Sequence, residues 1–195
     1  MIILIDAGHG IETKGKRSHC GTLVEWEYNR RVANVLKQEL DKYSGTETTL
    51  ICPEDTDIPL KDRCFRVNKI VTLNGRKNTF LVSIHLNAFT IDKPRGWEIH
   101  THPNCLPISD EYANVFADMA GKILPPDIPI RNNGKPFKSD FQILRDTGCP
   151  SVLTENLYMT NSNDRNYLLT ERGFYSIVNI HFKSIMKILG RQWNE

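Results

Sequence analysis

The chain has 195 residues, a length that suits one domain with a sizeable hydrophobic core and no need of disulfide staples. Its 39% hydrophobic and 25% charged residues are those of an ordinary soluble globular protein, and a net charge of +2 gives no basic stripe for nucleic acid. Five cysteines, an odd number without the close spacing of a zinc knuckle, read as reduced thiols.

Ile2–Ile5 is a short apolar run with the pattern of a buried strand, broken by the polar loop Asp6-Ala7-Gly8-His9-Gly10. The run lacks a basic start and is too short for a signal peptide, and no stretch approaches a membrane span. A basic loop (Lys14, Lys16, Arg17) precedes a helix over about 27–43, whose apolar stripe is Val32, Val35, Leu36 and Leu40. A strand over 48–51 and a helix over 60–73, opened by Pro59, come next. Residues 80–85 and 97–102 read as two further strands. Ser109, Asp110 and Glu111 open a helix that Pro125-Pro126 closes. Pro125–Asp140 reads as a surface loop or a substrate-facing flap. Residues 141–144 and 151–154 read as short strands, and a last helix runs over about 173–189 with Gly190 as its stop.

Strands and helices therefore alternate, which predicts an α/β fold: an open, mostly parallel twisted sheet with helices on both faces, in a single domain over 1–195. In such sheets ligands bind beyond the carboxyl ends of the strands. His9, His85 and Glu155 each stand at such an end, and Glu25 precedes the first long helix. Two imidazoles and one carboxylate suit a catalytic zinc with an open fourth position, and the remaining carboxylate can take a proton from water. Residue chemistry alone leaves the metal reading and a set of hydrogen-bonded structural residues equally open. His100 and His102 share one side of a strand and read as a solvent-facing edge. His181 reads as packed within its helix, and Trp26 and Trp97 as core.

The motifs resemble a known family. Ile5-Asp6-Ala7-Gly8-His9-Gly10 is similar to the opening strand and loop of the zinc N-acetylmuramoyl-L-alanine amidases of type 3, with Ala7 where that family usually has Pro. Glu25-Trp26-Glu27-Tyr28-Asn29 resembles its acidic segment, in which a Glu is followed four residues later by Asn, and Asp57–Arg63 its segment of an apolar residue, a Leu and an Arg. Val82-Ser83-Ile84-His85-Leu86-Asn87-Ala88 resembles its Ser-Ile-His-x-Asn-Ala signature, followed by Gly96-Trp97-Glu98. Val152-Leu153-Thr154-Glu155, Met159-Thr160-Asn161 and Asp164 resemble its closing segment.

The resemblance implies Zn²⁺ held by His9, Glu25 and His85, with Glu25 preferred to Glu27 by its spacing to Asn29. It implies Glu155 as general base in hydrolysis of the amide between N-acetylmuramic acid and L-alanine in peptidoglycan. Asn87, Arg63 and Lys138 are candidates for holding the oxyanion or substrate. The expected protein acts on cell wall without nucleic-acid or membrane partners. It is a monomer, made in the cytoplasm as a phage or prophage endolysin, or the catalytic part of a secreted autolysin. A zinc exopeptidase and a non-catalytic wall-binding module are the competing readings.

Overall fold

The computed structural model describes residues 1–193. Its sheet is built from β1 (Ile2–Ala7), β2 (Glu47–Leu50), β3 (Thr79–Asn87), β4 (Glu98–Thr101), β5 (Phe137–Lys138) and β6 (Ser151–Tyr158). The strand order is β2-β1-β3-β6-β4-β5. β1, β2, β3 and β6 run parallel, and only the β4–β6 pair is antiparallel. Parallel neighbours need long crossovers. These are α1 (Glu25–Asp41) between β1 and β2, and α2 (Leu60–Asn74) between β2 and β3. The remaining helices are α3 (Pro107–Ile123), α4 (Gln142–Arg145), α5 (Ser162–Leu168) and α6 (Glu171–Ile188).

Alternation along the central strands divides the core into two layers. Ile3, Ile5, Val82, Ile84 and Val152 point to one face and pack with Leu36 of α1, Phe116 of α3 and Ile177 of α6. Ile2, Leu4, Leu81 and Leu153 point to the other, against Cys64 and Val67 of α2 and Ile143 of α4. The near-continuous apolar reading of these strands follows from burial on both faces.

Two expectations need correction, and one helix goes beyond them. Residues 141–144 are not a strand: Gln142–Arg145 is a single helical turn, because Ile143 and Leu144 both pack into the α2 layer. α5 has no counterpart in the sequence reading; the Asn161 side chain caps it by accepting from the Asn163 and Asp164 amides. Residues 100 and 102 do not form a solvent-facing edge. His100 is buried, with its ring nitrogens near Ser139 Oγ (2.8 Å) and Glu98 Oε2 (3.2 Å). β5 covers that edge by pairing His100 with Phe137.

The 125–140 segment is anchored rather than loose. The Trp97 amide donates to the Pro129 carbonyl, and the Trp97 carbonyl accepts from the Arg131 amide, both at 2.9 Å. Gly96, with φ +110°, permits this approach: a Cβ there would lie 2.4 Å from the Pro129 oxygen. All five cysteines are free thiols.

Candidate active site

β1, β3 and β6 end side by side, and their last residues meet at one end of the sheet. Residue 85 pairs in register with residue 155, so His85 and Glu155 stand beside each other on adjacent strands. Glu155 faces Glu98 across the antiparallel β4–β6 pair. His9 follows β1 by two residues and has φ 67°. A non-glycine residue in the left-handed region costs on the order of 1–3 kcal/mol and persists only where the surroundings enforce it. Here the enforcement comes from Arg30, which donates to the His9 carbonyl, and from Gly8, whose amide donates to Ile84 O at 2.9 Å. Gly8 is also a steric necessity, since a Cβ there would fall 2.1 Å from His85 Cε1.

Glu25 is the first residue of α1, where a carboxylate is favoured by the helix dipole. It is 1% exposed. Its Oε1 lies 3.1 Å from His85 Nδ1, 3.3 Å from His9 Nε2 and 3.1 Å from the Leu86 amide, which donates to it. Its Oε2 is buried and has no hydrogen-bond partner among the described residues. The two imidazole rings sit edge to face with centroids 5.0 Å apart.

One ligand atom from each of His9, Glu25 and His85 can be chosen so that all three lie within 4.8 Å of one another. Tetrahedral coordination with bonds of about 2.0–2.1 Å puts ligand atoms roughly 3.3 Å apart. The 3.1 and 3.3 Å separations around Glu25 meet that spacing. The donor set is nitrogen-rich with one carboxylate, and the orphaned Glu25 oxygen calls for a cation or donor that the described residues do not provide. The residues therefore fit a metal ion. Glu27, the neighbouring alternative, is exposed and takes no part in this cluster.

The electrostatics follow from this crowding. Burial opposes charge on Glu25, but hydrogen bonds to His85 and His9 outweigh it and hold the carboxyl far below its ordinary range. Burial likewise opposes charge on His85, and the Glu25 hydrogen bond with the Glu155 and Glu25 charges overcomes it and raises its pKa. Glu155 behaves oppositely. Burial pushes its pKa up to about 8, the Glu25 and Glu98 charges add to this, and His85 acts against it. Its Oε2, too, is buried without a partner.

A supporting ring surrounds the four groups. Asn156 donates to the His85 carbonyl (3.0 Å) and accepts from Trp97 Nε1 (2.8 Å), which locks β6 to β3 and to the buried indole. Leu157, with φ 69°, marks the irregularity by which Tyr158 rather than its predecessor pairs with Asn87. Glu98 accepts from Tyr158 Oη (2.5 Å) and has Arg131 Nε 2.6 Å from its Oε1. Burial opposes its charge, but His100, Tyr158 and Arg131 hold it below the ordinary carboxylate range. Asn156, Tyr158 and Arg131 escaped the sequence reading because their roles depend on which strands become neighbours. The one available signal was the Trp97-Glu98 pair in a motif already noted.

The three substrate candidates separate. Asn87 ends β3 near the cluster, and its Oδ1 accepts from the Ala88 amide at 2.8 Å. Arg63 is 2% exposed, and its guanidinium donates to Asp6, Ala7 O, Ile58 O and Asp57. It is a buried tie beneath the site, with its donors already committed. Lys138 pairs with Thr101 toward the opposite end of the sheet, and its ammonium lies 2.6 and 2.7 Å from the two Asp110 oxygens. Neither cation reaches the cluster. His181 is fully buried in α6 and Trp97 in the core, as the sequence implies; Trp26 is only half-buried.

Comparison with known proteins places the chain among cell-wall amidases by family and by fold. The chain is 25% identical to the N-acetylmuramoyl-L-alanine amidase CwlM of Bacillus licheniformis over 186 residues, covering 95% of this chain and 67% of that protein. It is 25% identical to the endolysin of Bacillus phage SPP1 over 190 residues, covering 96% of this chain and 66% of that protein. The chain thus spans about two-thirds of the length of these relatives. Its fold is shared with the amidase AmiC2 of Nostoc punctiforme, with a TM-score of 0.83 at 23% identity and 98% of each chain covered. The family model described as N-acetylmuramoyl-L-alanine amidase matches residues 3–187, and the chain belongs to that family.

Proposed function

We propose that the chain hydrolyses the amide bond between N-acetylmuramic acid and L-alanine in peptidoglycan, with Zn²⁺ held by His9, Glu25 and His85 and with Glu155 as general base. The observation that carries this reading is convergence. Four groups from separate chain segments meet at the carboxyl end of the sheet, and Glu25 and Glu155 each keep a buried oxygen without a partner among the described residues. Bound zinc supplies Lewis acidity toward a carbonyl and a water of strongly lowered pKa.

The protein's own residues supply the rest. Glu155 takes the proton of the attacking water on its free oxygen and hands it to the departing alanine nitrogen. Its pKa of about 8 suits it to carry a proton at neutral pH, and an ion held by His9, Glu25 and His85 would favour the carboxylate form that accepts one. Glu98, across the strand pair, keeps a second negative charge near Glu155, and Arg131 and Tyr158 hold it in place. Asn156 fixes the His85 backbone and so the position of the imidazole.

The same reading makes residues 1–195 one catalytic domain, acting as a monomer. The likeness to a phage endolysin supports a lytic setting, and among the described residues no helix is long and apolar enough to cross a membrane.

The test is digestion of purified peptidoglycan with mass analysis of the fragments. Zinc-loaded wild type is expected to release stem peptides that begin with L-alanine, and Glu155→Gln to release none. New termini within the stem would favour an exopeptidase. Binding without release would favour a wall-binding module.

A further inference from the structure

A sizeable cavity lies outside the four-residue cluster. It has a volume of about 590 Å³, within the ordinary range for ligand sites, and runs between the start of α1 and the α5–α6 junction. Thr22, Leu23 and Val24 form one wall, and Glu25 of the His9, Glu25 and His85 cluster follows Val24 directly in the chain. Its rim carries Glu27, Arg31, Asn34 and Tyr175.

Three features show what it would hold. Tyr28 lines the groove, is 4% exposed, and its hydroxyl has no hydrogen-bond partner among the described residues. A buried hydroxyl left unpaired costs about 1–3 kcal/mol, and such a group in a native fold calls for an external partner. Arg31 rests its guanidinium 4.7 Å over the Phe174 ring and forms no ion pair among the described residues, so its donors remain available. Tyr175 is 48% exposed and Leu169 50% exposed, which gives the groove apolar surface beside its polar rim.

The charged lining is Glu27 and Glu171 against Arg31, two anions to one cation, so the groove does not favour an anionic ligand. It suits a neutral molecule that has an apolar face and carries both donors and acceptors around its edge. N-acetylated hexose rings have that form. Their C–H faces stack on an aromatic ring, while hydroxyl and acetamido groups meet carboxylate, amide and guanidinium. The stem peptide, with its free carboxylates, is the poorer match.

We infer that the groove bounded by Tyr28, Arg31 and Tyr175 is a subsite for the neutral N-acetylhexosamine rings of the glycan strand, next to the hydrolytic centre. This inference rests on the wall-amidase reading above. Binding to sugar rings remote from the scissile bond would add to substrate retention without requiring a deep pocket at the metal cluster.

The test uses the full ¹⁵N-labelled chain titrated with a tetramer of N-acetylglucosamine, which contains no scissile amide. Saturable amide shifts are expected at 22–31 and 169–175. Tyr175→Ala and Arg31→Ala, both at exposed positions, should each weaken binding at least fivefold. Phe65→Ala, an exposed change on α2, should leave it unaltered. Tyr28→Phe should weaken binding while raising the melting temperature of the ligand-free protein, a combination that a purely structural tyrosine would not give.

The inference is overturned if the tetramer gives no saturable shifts or shifts elsewhere, or if affinity is unchanged in Tyr175→Ala and Tyr28→Phe. Displacement of the tetramer by a free stem peptide at the same resonances would reassign the groove to peptide. Binding is read without turnover. Oligomer binding by a protein that never releases L-alanine ends would therefore count against the amidase reading and not against the groove.

Discussion

Two buried charged clusters lie one layer apart at the same end of the sheet, and they are finished differently. In the lower cluster, Asp6 accepts from Ser83 Oγ at 2.6 Å and from Arg63 Nη1 at 3.1 Å, and Arg63 has further acceptors in Ala7 O, Ile58 O and Asp57. Its charges answer each other. In the upper cluster, Glu25 and Glu155 each keep a buried oxygen with no partner among the described residues, and the two carboxyl groups are driven in opposite directions, one down and one up. Desolvated charge is costly unless it is paired. The closed cluster meets that cost within the chain. The open one meets it only with something from outside, which is the mark of a site.

The comparison is broken most severely at Glu155. Glu155→Gln should cut turnover by about 10²–10⁴-fold, the usual contribution of a general base, while metal content measured by elemental analysis stays at the wild-type level. Loss of metal along with activity would instead make Glu155 part of the ligand set.

Next in size is the closed cluster. Arg63→Ala leaves Asp6 buried and unpaired, and should cost about 3–5 kcal/mol of unfolding free energy in urea titration. Asp6→Asn combined with Arg63→Met should recover much of that loss. A substrate-holding role would appear as a KM effect out of proportion to stability, and the committed donors of Arg63 predict none.

A third buried group sharpens the contrast between a functional and a structural imidazole. His181 is fully buried, with Nδ1 2.8 Å from the Ile177 carbonyl and Nε2 2.9 Å from Thr154 Oγ1. A carbonyl acceptor requires the proton on Nδ1 and leaves Nε2 to accept. Burial pushes the His181 pKa down to about 4, against 6.5 for an ordinary histidine. The unfolded chain therefore binds this proton first as pH falls. His181 stabilises the fold above pH 6.5, and that stability is lost between pH 6.5 and 4, by about 3 kcal/mol in all. Urea unfolding of wild type and His181→Gln across this range should differ in pH slope, with wild type losing about 3 kcal/mol relative to the variant between pH 6.5 and 4. His85, whose pKa is raised, should not share this behaviour.

The smallest effect is expected at Lys138. Its pair with Asp110 is 42% and 38% exposed, so Lys138→Ala should change stability by less than about 1 kcal/mol and leave wall hydrolysis unaltered. A large loss of activity would place this residue nearer the substrate than the sheet register does.

These outcomes bear on what the sequence could and could not disclose. The buried strands were legible because Ile2–Ile5 and Phe80–Ile84 are apolar on both faces, and α1 because its stripe repeats every three or four residues. His9, Glu25, His85 and Glu155 were legible as strand-end and helix-start groups, and family resemblance supplied their roles. Register was not legible. It decides that Glu98 faces Glu155, that Lys138 lies at the wrong end, and that Arg63 reaches Asp6 instead of solvent. The helical turn at Gln142–Arg145 was missed for a similar reason: Phe141–Leu144 is too short for its period to be read, and packing against α2 chose the helix.

The most direct test of the central claim is calorimetric titration of the metal-free protein with Zn²⁺, run on wild type and His85→Ala. If the open cluster is completed by a cation, wild type should bind one ion per chain and gain thermal stability, and His85→Ala should lose both. Wild type that binds no zinc, or a His85→Ala protein that binds it equally well, would contradict the account.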